Sequence, residues 1–256
     1  MKYDFDKIIP RRGTNSVKWD VAKEDGVIPM WVADMDFQAA PCIRQALKER
    51  IDHGVFGYTL VPNSYYESII SWFDRRHQWH IERDWIIYTS GVVPAISAII
   101  KALTEPGDKV LVQTPVYNCF FSSIRNNGCT TAENALVRKG NSYEIDFDDF
   151  EKQAADEKTK VFLLCNPHNP AGRVWTPEEL SRMNEICLKH GVQVISDEIH
   201  CELVMPGYKF TPFAAVSKAC QDNCITTNSP TKSFNIAGLQ LSLIHISEPT
   251  RRYAIS

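Results

Sequence analysis

Val161-Phe162-Leu163-Leu164-Cys165 leads into the turn Asn166-Pro167-His168-Asn169-Pro170-Ala171-Gly172. Thr176-Pro177-Glu178-Glu179 comes next, and after it Val192-Gln193-Val194-Ile195-Ser196. The first and last of these are short, continuous apolar runs, the pattern of strands buried on both faces. Between them lies a helix start, with a threonine cap, proline at the first helical position and acids in the first turn. That helix runs to about His190 and stops at Gly191. Strand, helix and strand in this order make a parallel βαβ unit.

The alternation continues outward. Trp85–Tyr88 reads as a strand, and the helix after it carries Ile96, Ile99, Ile100 and Leu103. Lys109–Gln113 is a strand, Phe120–Asn126 a helix, Thr130–Ala132 a weaker strand and Asp146–Ala155 a helix with an acidic start. Cys224–Thr227 is a further buried strand. The expected class is α/β, a mostly parallel sheet with helices on both faces. Towards the N-terminus, a helix begins near Pro41 with Ile43, Ala46, Leu47 and Ile51 at helical spacing. After the glycine-punctuated break His53–Tyr58, Asn63 is placed to cap a helix running to about Trp79. Residues 1–40 read as an irregular arm. In it, Ile28–Phe37 is apolar but carries Asp34 and Asp36. Those acids face solvent if the arm only packs on a core, whereas Trp31 faces a ligand if the arm lines a cleft. Both readings stand at this level.

Composition narrows the function. The 256 residues are 44% hydrophobic and 23% charged, ordinary for a globular protein. A net charge of -3 supplies no basic field for nucleic acid. No run approaches the roughly 18 apolar residues of a membrane span. Met1–Asp6 lacks the apolar stretch of a signal peptide, so a cytoplasmic location is expected. The 8 cysteines form no C-x-x-C pair and read as reduced thiols. His77 and His80 share a helical face but have no third ligand at recognisable spacing, so no metal is expected.

Ligands of open α/β sheets bind beyond the carboxyl ends of the strands. Those ends deliver chemistry here. Ser90-Gly91-Val92-Val93 opens a helix, whose free N–H groups and dipole attract phosphate. Tyr117 offers a ring to stack on. Asn169 presents an amide from a rigid turn. Asp197 places an acid directly after a buried strand. Ser229-Pro230-Thr231-Lys232 sets a lysine between hydroxyls after another. Each feature alone has an ordinary reading, as a helix start, a cap or a solvated lysine. Together they are the parts that pyridoxal phosphate needs: a phosphate site, an aromatic platform, an amide, a carboxylate for the ring nitrogen and an amine that forms an imine.

N-P-H-N-P-A-G-R (166–173), S-D-E-I-H (196–200) and T-K-S-F-N-I-A-G-L (231–239) resemble the fold-type I pyridoxal-phosphate enzymes related to aspartate aminotransferase. N-S-V-K-W-D (15–20), W-V-A-D-M-D-F (31–37), H-G-V-F-G-Y (53–58), G-V-V-P (91–94), P-V-Y (115–117) and G-R-V-W-T (172–176) are similar to the MalY/PatB cystathionine β-lyases, or C–S lyases, in particular. The resemblance implies that Lys232 carries the cofactor and later moves the substrate α-proton. It implies that Asp197 pairs with the pyridine nitrogen, Asn169 contacts the ring oxygen with His200 near it, and Tyr117 stacks on the ring. The amides of Val92 and Val93 and the hydroxyls of Ser229 and Thr231 become the phosphate donors. Tyr58 reaches the phosphate of a neighbouring subunit, so the family's enzyme is a homodimer, and its substrate is a small-molecule amino acid such as cystathionine. The implied reaction releases homocysteine, pyruvate and ammonia from cystathionine. An aminotransferase on the same scaffold and a MalY-like regulatory or interaction protein are the rival readings. The family pattern runs from residue 1 to about 240. The expected organisation is therefore an N-terminal arm (1–40), an incomplete pyridoxal-phosphate-binding large domain (41–240) and a foreign-looking tail (241–256), with the C-terminal small domain missing.

Overall fold

The computed structural model describes residues 3–21, 24 and 26–246. Its helices are α1 (Val17–Asp20), α2 (Pro41–His53), α3 (Asn63–His77), α4 (Val92–Leu103), α5 (Asn118–Asn126), α6 (Phe147–Ala154), α7 (Pro177–Lys189), α8 (Lys218–Asp222) and α9 (Pro230–Ser233). Its strands are β1 (Ile86–Thr89), β2 (Lys109–Thr114), β3 (Thr130–Ala135), β4 (Val137–Lys139), β5 (Ser142–Glu144), β6 (Thr159–Cys165), β7 (Gln193–Asp197), β8 (Cys224–Asn228) and β9 (Ser242–Ile246). The chain forms two compact units, one of Val61–Ser229 with Leu241–Ser256, the other of Met1–Leu60 with Pro230–Gln240. The helix at Pro41–His53 therefore groups with the arm and not with the sheet.

The larger unit holds a 7-stranded sheet in the order β1-β9-β8-β7-β6-β2-β3. β8, β7, β6, β2 and β3 run parallel. β9 lies antiparallel between β1 and β8, so β1 points the same way as the parallel set. Strand alternation splits the core into two layers. Val161 and Leu163 of β6 face one layer with Ile96, Ile100, Val110 and Phe120, under α4 and α5. Phe162 and Leu164 face the other with Phe150, Trp175, Leu180 and Phe213, under α6 and α7. These side chains are almost wholly buried, and each such residue contributes roughly 1.5–3 kcal/mol of apolar transfer. The start of α7 is a complete capping box: Thr176 Oγ1 accepts from Glu179 N, and the Glu179 carboxylate accepts from Thr176 N.

Several local readings shift. A single 3-10 turn at Arg83–Trp85 precedes β1, which starts one residue later than the sequence pattern suggests. Pro62, not Asn63, occupies the cap of α3. The hairpin of β4 and β5 was not foreseen; it turns at Gly140, whose φ of 59° suits a residue without Cβ. Residues 242–246, expected as the start of a foreign tail, form β9 within the sheet. Residues 247–256 lie outside the described residues.

The smaller unit is built differently. Arg11 pairs with Asp34 at 2.6 Å and Asp36 at 2.9 Å, and the buried Lys18 pairs with Asp36 at 2.8 Å. Both acids thus bind cations, Asp36 with its side chain still 40% exposed, while Trp31 is exposed. Asn235 binds the same arm through both ends of its amide, accepting from Met35 N at 2.9 Å and donating to Phe37 O at 2.7 Å. No residue of α2 is buried. Among the described residues no helix is long and apolar enough to cross a membrane.

Candidate active site

In the larger unit, β1, β2, β6, β7 and β8 end at the same edge of the sheet, because all five share one direction. At the end of β1, Gly91 precedes α4 and offers no side chain to cap it. The first N–H groups of a helix have no acceptor inside it. Pro94 carries no N–H, so Val92 and Val93 supply the open donors of this turn. A Cβ on Gly91 would come within 3.2 Å of Pro94 Cδ, which keeps the approach to these amides bare.

Past β2, Tyr117 begins α5 half-buried, its ring edge-on to Phe120 at 6.0 Å between centroids. Burial, then its hydrogen bond with Cys119 and the charge of Asp197, push its hydroxyl up to about 12. Asp197 ends β7 and is 4% exposed, and its Oδ1 accepts the Ile199 N–H at 3.2 Å. His200 is half-buried in the turn beyond.

The turn after β6 is fixed from several sides. Cys165 Sγ accepts from Asn169 N at 3.2 Å and donates to Pro167 O at 3.4 Å. Trp175 Nε1 donates to Cys165 O at 3.0 Å. His168 Nε2 lies 3.1 Å from Gln113 O and donates to it, and burial holds the ring neutral by lowering its pKa to about 4. Arg173 stacks 4.7 Å from the Trp175 ring and forks onto both oxygens of Glu179. The capping box of α7 is thereby tied to the turn that presents Asn169, whose side-chain amide has no partner among the described residues. After β8, Ser229 is buried and its hydroxyl donates to Leu241 O, so that proton is already used.

The smaller unit carries the remaining candidates. Lys232 is half-buried in α9, and its Nζ has no hydrogen-bond or ion-pair partner among the described residues. Thr231 beside it is 8% exposed, and its carbonyl accepts from Ile236 N at 3.0 Å. Tyr58 is fully exposed. His77 and His80 do not converge: His80 is exposed beside Glu82, whereas His77 Nε2 lies 2.7 Å from Glu202. Glu202 also accepts from Trp72 and Arg76, so its oxygens are occupied.

Comparison with known proteins identifies the scaffold. The family model for aminotransferase class I and II matches residues 25–255. The chain belongs to this family. Cystathionine beta-lyase PatB of Bacillus subtilis is 46% identical over 99% of this chain and 66% of its own length. Protein MalY of Escherichia coli is 38% identical over 93% of this chain and 61% of its own. The solved structure of cystalysin from Treponema denticola, which contains a pyridoxal 5'-phosphate cofactor, superposes with a TM-score of 0.93 at 42% identity. It is covered over 65% of its length by 97% of this chain. The chain thus spans somewhat less than two thirds of these relatives. Sequence reasoning missed Glu198 and Cys165 as parts of this region, because their importance comes from what buries them.

Proposed function

We propose that this chain is part of a pyridoxal-phosphate-dependent carbon–sulfur β-lyase that cleaves cystathionine or a related cysteine S-conjugate. The observation that carries the reading is the set of polar groups at one sheet edge: bare amides at the start of α4, a buried acid ending β7 and an unpartnered amide on the turn after β6. The unpartnered amine of Lys232 fits the same group.

Pyridoxal phosphate, when bound, supplies an aldehyde for an amino group and a protonated ring that accepts the electron pair left at the substrate Cα. In this reading Val92 and Val93 would bind its phosphate, Tyr117 would stack on the ring, Asn169 would meet the ring oxygen with His200 beside it, and Asp197 would hold the proton on the ring nitrogen. Ser229, whose hydroxyl donates to Leu241 O, reaches phosphate by exchanging that bond, and Thr231 is the second hydroxyl of this reading. Lys232 would hold the aldehyde of the cofactor between turnovers and, as a free amine, would take the substrate α-proton. With the electron pair at Cα, the Cβ–S bond breaks and the thiolate leaves. Water completes the balance: cystathionine and water give homocysteine, pyruvate and ammonia.

We further propose a cytoplasmic homodimer. All eight cysteines are free, as in a reducing compartment. α2 buries no residue, and Val55, Phe56, Tyr58 and Leu60 after it are exposed, an apolar stretch suited to a second copy.

Lys232→Ala is expected to abolish both the visible band of lysine-bound cofactor and release of pyruvate and thiol. An unchanged band would remove Lys232 from this role. The class I and II family match also favours an aminotransferase as a second reading. Keto acid formed without ammonia or free thiol would select it.

A further inference from the structure

Asn228 is the last residue of β8, is 5% exposed and has no role in the mechanism above. A buried amide is costly unless its polar atoms are paired, and here each one is. Nδ2 donates to Glu198 O at 3.1 Å and to Cys201 Sγ at 3.4 Å. Oδ1 accepts from Ser229 N at 2.6 Å. The partners fix which end of the amide is which. Ser229 N–H can only donate and Glu198 O can only accept, so a flipped amide would lose both bonds. The backbone that carries this side chain is held as well, since Asn228 O accepts from Ser242 Oγ at 2.7 Å.

These bonds join two segments of the sheet edge. Glu198 and Cys201 belong to the turn after β7. That turn closes on itself, with Cys201 N donating to Glu198 O at 3.0 Å and Leu203 N to His200 O at 2.9 Å. Asp197 stands at its head, and Ser229 stands directly after β8. The main-chain ladder between the two strands reaches Glu198 N, which donates to Thr227 O at 2.9 Å. Beyond it the Asn228 side chain continues the connection. An apolar side chain of the same size would fill the space but would take the acceptor from Ser229 N–H. A buried hydrogen bond adds little net stability, whereas an orphaned donor costs more, so the amide specifies a position above all.

We propose that Asn228 is a positioning residue. Its amide braces the turn after β7 against Ser229, and so sets the spacing between the acid assigned to the ring nitrogen and a hydroxyl assigned to the phosphate. The brace belongs to the chain whatever it binds; its use for the cofactor rests on the function proposed above.

Amide hydrogen exchange of the chain without cofactor tests the brace. Asn228→Leu should speed exchange at Ser229 and across Ile199–Leu203 about tenfold more than in β6. Asn228→Asp keeps an acceptor for Ser229 N but, when ionised, has no donor for Glu198 O. It should therefore loosen the turn and leave Ser229 protected. Uniform acceleration through the sheet, or none, overturns the brace. Should both variants fail to fold, the wild type decides: Ser229 must be protected, and free exchange there overturns the proposal.

Two probes test the use. Pyridoxal phosphate spans both segments, whereas inorganic phosphate reaches only one. Asn228→Leu should bind pyridoxal phosphate about tenfold more weakly than wild type, the scale of one buried hydrogen bond, and inorganic phosphate almost equally well. A merely structural residue would weaken both probes alike, and that result overturns the positioning role, as does unchanged affinity for pyridoxal phosphate. No binding of either probe to wild type would instead overturn the assigned function, and the exchange result would stand.

Discussion

The two compact units of this chain are held together by different physics. The sheet unit has apolar layers on both faces, with Phe150, Phe162, Trp175 and Phe213 almost wholly buried. The arm unit has a helix with no buried residue, and its fixed points are charged: Arg11, Lys18, Asp34 and Asp36. Apolar burial is worth more per residue and does not depend on salt, whereas partly exposed ion pairs are worth about 1 kcal/mol or less each. The chemistry is divided accordingly. Val92, Val93, Tyr117, Asn169 and Asp197 belong to the sheet unit, whereas Thr231 and Lys232 belong to the short helix α9 of the other unit.

The largest expected effect tests the sheet side. Trp175→Ala removes a 1% exposed indole and its bond to Cys165 O. A loss of about 3–5 kcal/mol is expected in urea denaturation. A loss near 1 kcal/mol would mean that the turn presenting Asn169 is held from elsewhere.

His245 marks where the sheet unit falls short of its own standard. It sits in β9 with both ring nitrogens buried and without a partner among the described residues, packed edge-to-face with Phe73 and Trp79. His245→Leu should stabilise the chain by about 1–3 kcal/mol, the cost of unmet buried polar groups. The pH dependence has a definite sign. Burial lowers the folded pKa of His245 from 6.5 to about 3, so the unfolded chain binds a proton first. Stability therefore falls as pH drops below 6.5, by about one proton's slope, and His245→Leu removes that slope. His168, lowered to about 4 by burial, contributes a second, separate slope that the variant retains. An unaltered slope in His245→Leu would show that this ring is not buried in solution.

These cases also show what the sequence can reveal. β6, β7 and α7 were legible because their signals are local: continuous apolar runs and a capping box within four residues. Asp197, Asn169 and Val92 were legible as candidates because each follows directly on such a run. β9 was not, since Ser242–Ile246 becomes a strand only by pairing with β1 and β8. Glu198 was overlooked for the same reason: the Phe213 N–H that meets it comes from a distant loop. Asp34 and Asp36 look solvent-facing until Arg11 and Lys18 are brought to them.

The arm side predicts smaller, salt-dependent effects. Asp36 accepts from Arg11, Lys18 and the Trp19 indole at 2.8–2.9 Å, with its side chain 40% exposed. Asp36→Ala should cost about 1 kcal/mol at low ionic strength and less at high salt, where screening weakens the wild-type pairs. Proteolysis of the arm reads this out without needing the sheet to unfold. Equal susceptibility of variant and wild type at low salt would move the arm's stability to Asn235 and its bonds to Met35 and Phe37.

The smallest effect on folding is expected in α2. Leu47 is 38% exposed in a helix that buries nothing, so Leu47→Lys should change the monomer's stability by less than about 0.5 kcal/mol. Lysine keeps good helix propensity, so the substitution leaves α2 itself intact. The proposed homodimer makes a different demand, because a charge at its apolar contact must be desolvated on association. Analytical ultracentrifugation should therefore show a shift towards monomer with denaturation unchanged. A variant that associates like wild type would take α2 out of the interface. A variant that loses stability would instead show that α2 is covered within one chain, and that the arm depends on apolar burial after all.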